Sequence, residues 1–596
     1  MNLRRQGLAL VLCWGVLAAP TQADSPPKTL RVMFPAAETG FDPAKVFDLY
    51  SRTITPHIFE GLYQYDHLAR PFKIKPLTAA GMPAVSDDFR VWTVRLQPGI
   101  RFAADPVFNG QPRELVAADY VYAIKRFVDP ANNSPAVSTV LDAGFVGLEA
   151  VREAALKSRQ PFDYDRDVPG LRALDRYTIE FRLEQARPRF LEFLAAGDLY
   201  GAVAREVVEH YGDDIPAHPV GTGPFRLVQW RRSSFIVLER NPGYRDRTYD
   251  AQPREDDAEG RAIAARLAGR RIPMVDRVEV SIIDEAQPAW LAFLSGELDY
   301  LTVPGDFVPQ AMPGGKIAPH LAKRGIEGKR SLNADGVYAY FNMEDPVLGG
   351  MAPDKVALRR AINLGLNVEA RIKLLFRGQG VPAQSMLLPH ASGYDPAFKS
   401  EMGDYDPARA KALLDMYGYV DREGDGWREL PDGRALELEV ATQPDQFSRR
   451  SNELWQKDMT ALGIKLRFSA AQWPEQLKAA RAGKLQIWSL GGSAASPDGQ
   501  ESLAALYSGE IGGQNFARFR HPRMDEIYET ARRLPDGPER DALFREAKIL
   551  SVAYMPYKMF LHRISNMLNY AYLIGHRRPL FWTEWFHMVD IDRSAP

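Results

Sequence analysis

Residues 217–244 begin with Ala217-His-Pro-Val-Gly-Thr-Gly-Pro-Phe-Arg-Leu-Val-Gln-Trp230 and end with Asn241-Pro-Gly-Tyr244. Gly221, Gly223 and Pro224 precede the first strand-like run and predict a tight, irregular turn, because glycine tolerates positive φ and proline lacks a backbone N–H. The runs Phe225–Trp230 and Phe235–Leu238 are rich in aromatic and β-branched residues, which is typical of strands. The stretch therefore predicts a β-hairpin behind a glycine turn, ended by the Asn-Pro-Gly sequence.

Strand and helix patterns alternate along the rest of the chain. Leu30–Phe34 and Val337–Asn342 are apolar runs with the length of strands. Apolar residues from Ala117 to Phe127 recur at helical spacing, directly after an Asn109-Gly110 turn. Such alternation predicts an α/β protein.

Composition bounds the size and the partners. The chain has 596 residues, 45% hydrophobic and 25% charged, which is enough material for roughly three or four domains. Lysine and arginine number 75, against 76 aspartates and glutamates. This balance gives no broad basic surface, so we expect no nucleic-acid partner.

The first 23 residues predict a secretory signal peptide. Arg4 and Arg5 precede a short apolar core, Leu8–Leu17, and Ala23 supplies a small residue at the expected cleavage point. The apolar core is too short for a comfortable membrane span. Cys13, the only cysteine of the chain, would leave with the signal, so the mature protein would contain no disulfide or thiol. We expect a soluble protein of the bacterial periplasm.

Several sequence blocks, in this order, resemble one family. They are a Trp-x-Val-x-Leu-x-Pro-Gly-Ile run that starts at Trp92, the glycine turn with Asn241-Pro-Gly-Tyr, Gly296-Glu-Leu-Asp299, and Tyr340-Phe-Asn342. Together they are similar to the bacterial family-five extracellular solute-binding proteins, the receptors for oligopeptides, dipeptides and nickel complexes that feed ABC transporters. The similarity runs from about Leu30 to Ile574.

The resemblance implies an α/β, two-lobed periplasmic-binding-protein fold of type II, in the peptide-binding cluster, with an extra small α/β domain in the first lobe. The boundaries that it implies are residues 1–23 for the signal peptide, 24–72, 175–340 and 556–596 for lobe I, 73–174 for the added domain, and 341–555 for lobe II.

One segment of the family carries ligand contacts, and it aligns without gaps to Trp473–Asp498. Peptide receptors of the family use an aspartate there to pair with the ligand amino group, and this chain has Ala495 at that position. A family tryptophan falls on Gly492, and an arginine that some members use toward the ligand carboxylate falls on Ser489. Losing both charged anchors implies an uncommon ligand, such as a modified or blocked peptide, a larger conjugate or a neutral polar molecule.

The predicted ligand-binding residues come from the opening strand, the crossing between lobes and this segment; they are Glu38, Asn342, Trp473, Leu477, Ser489, Gly491, Gly492 and Asp498. For Glu38, a solvated loop carboxylate is the plainer expectation. For the wall made by the last six, the alternative is packing by other side chains.

No sequence motif supports catalysis. Gly491-Gly-Ser-Ala-Ala495 follows a predicted strand but lacks the final glycine of the nucleophile elbow Gly-x-Ser-x-Gly. Histidine pairs at zinc-ligand spacing and phosphate-cradling glycine loops are missing from the sequence. We therefore expect no enzyme activity, no cofactor and no metal.

Residues 421–432 resemble a calcium loop in their early positions only. Asp421, Glu423, Asp425 and Gly426 fit loosely, but the twelfth position is Asp432 instead of glutamate, and no helix clearly flanks the stretch. We favour a hairpin turn here.

These observations predict a periplasmic receptor that binds a peptide or peptide-like solute between two lobes and delivers it to an inner-membrane ABC permease. We expect it to act as a monomer. Two alternatives stay open: a serine hydrolase centred on Ser493, and a periplasmic sensor or holdase with the same fold.

Overall fold

The computed structural model describes residues 27–593 except residues 47 and 159. The predicted signal peptide, residues 1–23, lies outside the described residues, so its cleavage stays a prediction. Over the part of the chain that is described, no helix combines the length and the apolar character that a bilayer crossing requires.

The strands of the described residues, in chain order, are β1 (Thr29–Phe34), β2 (Tyr63–Tyr65), β3 (Ile74–Pro76), β4 (Ala84–Val85), β5 (Val91–Arg95), β6 (Leu171–Asp175), β7 (Thr178–Arg182), β8 (Phe225–Arg231), β9 (Phe235–Arg240), β10 (Arg277–Ile282), β11 (Tyr300–Thr302), β12 (Ile326–Leu332), β13 (Asp335–Phe341), β14 (Gly380–Pro382), β15 (Glu437–Thr442), β16 (Lys465–Ala470), β17 (Ile487–Ser493), β18 (Tyr557–Tyr570), β19 (Leu573–Ile574) and β20 (Asp590–Ile591).

The α-helices of the same residues are α1 (Leu49–Ile54), α2 (Ala117–Val128), α3 (Val137–Asp142), α4 (Leu148–Ser158), α5 (Phe190–Leu194), α6 (Gly197–Tyr200), α7 (Arg205–Tyr211), α8 (Ala258–Leu267), α9 (Ala286–Leu294), α10 (Val308–Ala311), α11 (Pro319–Ala322), α12 (Pro353–Gly365), α13 (Val368–Leu374), α14 (Pro407–Met416), α15 (Gln446–Leu462), α16 (Trp473–Arg481), α17 (Gln500–Ala504), α18 (Pro522–Arg533) and α19 (Pro538–Tyr554).

The first lobe is built on the four-stranded sheet β1-β10-β9-β8. Strand β1 runs parallel to β10, and β8 and β9 form the predicted hairpin. Neither glycine of the preceding turn has positive φ, so that part of the prediction is wrong. A Cβ on Gly221 would lie 2.0 Å from the carbonyl oxygen of Ile58, and one on Gly223 would lie 2.5 Å from that of His57. The turn needs glycine because the two backbones approach closely.

A small α/β unit packs beside this lobe and has its own sheet, in the order β4-β5-β7-β6. Its apolar core includes Trp92, Tyr120 and Phe181. Helix α2 starts where the Asp119 carboxylate accepts the backbone N–H of Val116. Strand β7 completes the sheet although it lies after residue 174, where the sequence places the end of the added domain.

The largest sheet of the described residues joins the two lobes, with the path β11-β18-β13-β17-β15-β16 and with β12 and β14 also paired to β18. The first half of β18 pairs with β13 and β14, and its second half pairs with β11 and β12. Strands β13 and β17 pack into a core that extends from Ala339 to Leu561, whereas β11 and β12 pack into a separate core. Strand β18 therefore passes from one lobe to the other.

Strands β12 and β13 meet at residues 332–335, and β18 changes its partners at residues 561–566; the chain passes between the lobes at both places, which we call the crossing segments. Asn333 N–H donates to the Arg563 carbonyl, which ties the two segments together. A site at this crossing lies at the junction of the two lobes.

Candidate ligand-binding site between the lobes

Strand β17 ends beside the crossing segments. Gly491 lies opposite Val337, and Gly492 lies opposite Gly336 on β13. A Cβ on Gly491 would lie 3.6 Å from the Gly336 carbonyl oxygen, and one on Gly492 would lie 3.6 Å from the Tyr338 ring, both ordinary van der Waals contacts. Side chains would fit at both positions, so the glycines leave the exposed end of β17 uncovered, and we call the space beside Gly491 the opening.

Ser489 places an unused hydroxyl on the same side of β17 as Gly491, because residues two apart share a face of a strand. Its Oγ is buried and has no hydrogen-bond partner among the described residues. A buried hydroxyl left unpaired costs about 1–3 kcal/mol. The position therefore offers a polar group that a ligand could satisfy.

Helix α16 brings Trp473 and Leu477 to the same lobe. The Trp473 ring lies 4.9 Å from the ring of Trp488 on β17, and 41% of the residue is exposed. Leu477 packs against the lobe II core. Trp473 thus presents an open aromatic surface, whereas Leu477 supports the wall from behind.

Asp498 is occupied by two arginines from different parts of the molecule. Arg189, which precedes α5 on the added-domain side, donates through Nε to Oδ2 at 2.6 Å. Arg540 of α19 donates to Oδ1. Burial alone would raise the pKa of Asp498, but the charges of both arginines outweigh it and lower that pKa. The predicted ligand contact is a charge pair within the protein.

Arg189 extends from the added-domain side to lobe II, where it caps a helix. Its remaining N–H groups donate to the carbonyl oxygens of Ala531, Arg532 and Leu534 at 3.2, 3.1 and 2.8 Å, at the C-terminal end of α18. The last carbonyls of a helix have no partner within the helix and favour a cation. We call Arg189 and its four acceptors the interlobe latch.

Glu38 is buried, with 3% of its surface exposed, so the expectation of a solvated loop carboxylate is wrong. Its Oε1 accepts the indole N–H of Trp230 at 2.5 Å and the backbone N–H of Ser233 at 3.1 Å. These donors lie on and after β8, so Glu38 holds the turn of the first-lobe hairpin. Its second oxygen is buried without a hydrogen-bond partner among the described residues.

Asn342 lies at the opposite end of β17 from Gly491. Its backbone N–H donates to the Gln486 carbonyl, directly before that strand begins. Its amide group donates to the Gly483 and Leu485 carbonyls and accepts the N–H of Glu344. The side chain is committed to lobe II, about 16 Å along the strand from the opening at 3.3 Å per residue.

The structure thus brings Trp473, Leu477, Ser489, Gly491 and Gly492 to one part of lobe II. Asp498 joins lobe II to the added-domain side, while Glu38 and Asn342 lie elsewhere with their own partners.

Two half-buried glutamates on the first-lobe side were missed by the sequence reasoning. Burial raises the pKa of Glu192 to about 8, helped by the Asp498 charge and opposed by Arg189. Burial likewise raises the pKa of Glu584 to about 8. Neither has a lysine or arginine ion pair among the described residues. The local sequence around each of them does not distinguish it from a surface acid.

Arg563 is a second residue that local sequence could not reveal. It lies on β18, in a crossing segment, and its Nε donates to Oδ2 of Asp335 at 3.0 Å. The two residues are 228 positions apart, so no spacing rule connects them.

Ser493 is exposed at the end of β17, opposite Asp335. No histidine is hydrogen-bonded to it within residues 27–593, apart from the two positions left undescribed. The serine-hydrolase alternative therefore lacks the base that would activate the hydroxyl.

Residues 421–435 form the tight turn expected for them. Leu430 N–H donates to the Arg434 carbonyl, and Glu429 pairs with Ala435 across an antiparallel bridge. Carboxylate oxygens of Asp421, Asp425 and Glu429 lie within 4.8 Å of one another. These groups accept backbone N–H groups of the turn itself.

The sequence of this chain matches a known protein family and known relatives. Residues 73–514 match the family described as bacterial extracellular solute-binding proteins, family 5 Middle. Di/tripeptide-binding protein 2 of Pseudomonas aeruginosa (strain UCBPP-PA14) is 26% identical over 603 residues, which cover 99% of this chain and 99% of that protein.

Solved structures share the fold at lower identity. HbpA2 from Haemophilus parasuis superposes with a TM-score of 0.71 and 19% identity, over 95% of this chain and 99% of that one. The ABC transporter-associated periplasmic binding protein DppA from Helicobacter pylori, in complex with peptide STSA, gives 0.67 and 21%, over 95% and 99%. The predicted two-lobed α/β fold is confirmed. The chain belongs to the bacterial extracellular solute-binding proteins of family 5.

Proposed function

We propose that this protein is the periplasmic receptor of an ABC importer, and that it takes up a peptide or peptide-like solute between its lobes and delivers it to an inner-membrane permease. The family assignment, the di/tripeptide-binding relative and the peptide-bound structural neighbour support this function. The protein acts by enclosing its ligand and performs no reaction on it. A secreted, periplasmic location follows from the proposed signal peptide at residues 1–23.

The observation that carries the proposal is that Gly491, uncovered at the end of β17, and the unpaired hydroxyl of Ser489 lie beside the crossing segments that join two separately packed lobes. We propose that Ser489 and Gly491, which share one face of β17, line the ligand there, whereas Gly492 and the Trp488 that carries Trp473 lie on the other face of the strand. The serine supplies a hydrogen bond and the glycine supplies space. Leu477 supports this wall, while Asp498, Glu38 and Asn342 serve the fold through the contacts described above.

Ala495 indicates which ligands fit. It offers no charge where family receptors for peptides place an aspartate toward the amino group. The Glu501 carboxylate lies there but already serves the turn, since its Oε2 accepts the backbone N–H groups of Ala495 and Ser496 at 3.0 and 3.3 Å. A ligand ammonium at that point would therefore not find the free aspartate that those receptors use. We therefore propose ligands whose amino end is blocked or modified, or whose amino end lies away from Ala495.

Transport follows from lobe closure. A ligand that contacts both lobes binds the closed form more tightly than the open form and shifts the equilibrium toward closure by that difference. The interlobe latch forms only when the lobes are together, so it adds to the stability of the closed form. The permease then recognises the closed receptor.

Mass spectrometry of small molecules that copurify with the mature protein tests the proposal. We expect a peptide-like species that rebinds to ligand-stripped protein in calorimetry. An active-site serine probe should not label Ser493, whereas labelling that is lost in Ser493→Ala would favour a serine hydrolase. Uptake of the ligand by the source cell should require this chain, which separates the receptor from a sensor or holdase. Recovery of no small molecule and no binding of any peptide would refute the proposal.

A further inference from the structure

The Arg563 guanidinium occupies the junction of the lobes. Arg563 lies opposite Gly380 of β14, and the next residue, Ile564, lies opposite Leu332 of β12. Strand β18 changes here from lobe II partners to lobe I partners. The Arg563 side chain is 40% exposed, so it is open to solvent at this point.

Asp335 fixes the orientation of this guanidinium. Its Oδ2 accepts the Arg563 Nε–H at 3.0 Å, and its Oδ1 accepts the Arg563 backbone N–H at 3.0 Å. The Asn333 amide also donates to Oδ2, at 3.1 Å, and only 7% of the Asp335 side chain is exposed. Asp335 therefore holds the Nε side of Arg563 in place. The Nη1 and Nη2 groups have no hydrogen-bond acceptor among the described residues.

The unused edge of the guanidinium lies beside the opening at the end of β17. A Cβ on Gly491 would lie 3.8 Å from Nη2 of Arg563. A long side chain at this position would cover the guanidinium, and glycine leaves it uncovered. The same face of β17 carries the unpaired hydroxyl of Ser489.

We propose that Arg563 binds a carboxylate of the ligand through Nη1 and Nη2. The planar guanidinium presents two parallel N–H groups along that edge, which match the two oxygens of a carboxylate. Because Asp335 fixes the guanidinium beforehand, little side-chain entropy is lost on binding. The family arginine that falls on Ser489 of β17 is missing here, and Arg563 supplies a positive charge from β18 instead.

This inference rests on the proposed function and narrows its ligand class. The ligand is a peptide or peptide-like acid with a free carboxylate, while its amino end is open to modification. Asp335 is a positioning residue and does not touch the ligand.

The test uses matched probes. Ligand-stripped mature protein is incubated with an equimolar tripeptide library that has free C-terminal carboxylates, and separately with the same library as C-terminal amides. Retained members are identified by mass spectrometry, and the best-retained acid and its amide are titrated by calorimetry. We expect the acid to bind at least about tenfold more tightly, since hydrogen bonds between two charged groups are stronger than those to a neutral amide.

Variants assign the effect to Arg563. We expect Arg563→Gln to weaken acid binding by about 10- to 100-fold and to leave amide binding unchanged. The matched control is Arg330→Gln. Arg330 is exposed and has no ion pair among the described residues. It lies opposite Asn566 on β18, three residues after Arg563. Because side chains alternate along a strand, Arg330 and Arg563 point to opposite faces of the sheet. Arg330→Gln should bind both probes like the unaltered protein.

Two outcomes would overturn the inference alone: equal binding of acid and amide by the unaltered protein, or acid binding by folded Arg563→Gln as tight as by Arg330→Gln. If Arg563→Gln does not fold, the inference is decided by the acid–amide comparison and by Arg563→Lys. The lysine keeps the positive charge but lacks the planar pair of N–H donors. Arg563→Lys binding the acid as tightly as the unaltered protein would then overturn it. Retention of no peptide in either form would overturn the proposed function, and this inference with it.

Discussion

Replacing Arg189 by alanine should weaken the closed form of the receptor. Arg189 is the part of the interlobe latch that comes from the added-domain side, and it donates to Asp498 and to the last carbonyls of α18. Its side chain and that of Asp498 are each only 14% exposed. The contact is therefore well shielded from water, and its loss should be measurable.

The loss of closed-form stability depends on which charges still neutralise Asp498 in the variant. Removing one partner of a buried ion pair costs about 3–5 kcal/mol when the other charge is left uncompensated. Here Arg540 still neutralises Asp498, so we expect a smaller loss of about 2–3 kcal/mol from the closed form. That loss corresponds to a reduction in the closed-to-open ratio, and at most in ligand affinity, of about 30- to 150-fold.

Small-angle scattering and calorimetry on the mature protein measure both quantities. We expect Arg189→Ala to have a larger radius of gyration without ligand and a weaker affinity for the copurifying ligand. The control is Arg172→Ala, which removes an exposed ion pair to Asp167 inside the added domain. Equal scattering and equal affinity for the two variants would refute the reasoning.

Three further predictions concern single residues. The folded-state pKa of Glu192, about 8, exceeds the ordinary value of 4.5, so this group makes the protein less stable as the pH rises from about 4.5 to about 8. The melting temperature of Glu192→Gln should therefore rise relative to that of the unaltered protein between pH 5 and pH 8. A difference in melting temperature that stays constant over this range would contradict the prediction. Gly221→Ala should destabilise the fold by about 3 kcal/mol or more in urea unfolding, because its Cβ would meet the Ile58 carbonyl, whereas Gly81→Ala, with no atom within 4 Å, should be nearly neutral. Gly491→Leu should keep the melting temperature, because a Cβ fits there, but should weaken ligand binding about tenfold or more; unchanged calorimetric affinity would argue against ligand at this opening.

Local patterns predicted the elements well where the physical cause was local. The hairpin after the glycine turn was placed at Phe225–Trp230 and Phe235–Leu238, and the strands run from Phe225 to Arg231 and from Phe235 to Arg240. Aromatic and β-branched content is enough for this. The reason for the glycines was different, since they admit the backbone of residues 57–58, which belongs to a distant part of the chain.

Site residues were harder to predict because their roles depend on distant partners. Glu38 looked like a loop carboxylate, but Trp230, 192 positions away, holds it inside the first lobe. Asp498 looked like a ligand contact, and it pairs instead with Arg189, 309 positions away. Ser489 and Gly491 lie on one strand, Ile487–Ser493, which continues past Leu490, where the sequence pattern ended the predicted strand; their contact with a ligand stays a prediction.

The most direct measurement of the central claim is small-angle scattering of the ligand-stripped mature protein, before and after refilling with the copurified ligand. If the two lobes close around the ligand, the radius of gyration falls and the profile matches that of a compact two-lobed particle. Identical profiles, with calorimetry showing that the ligand is bound, would contradict closure as the basis of function.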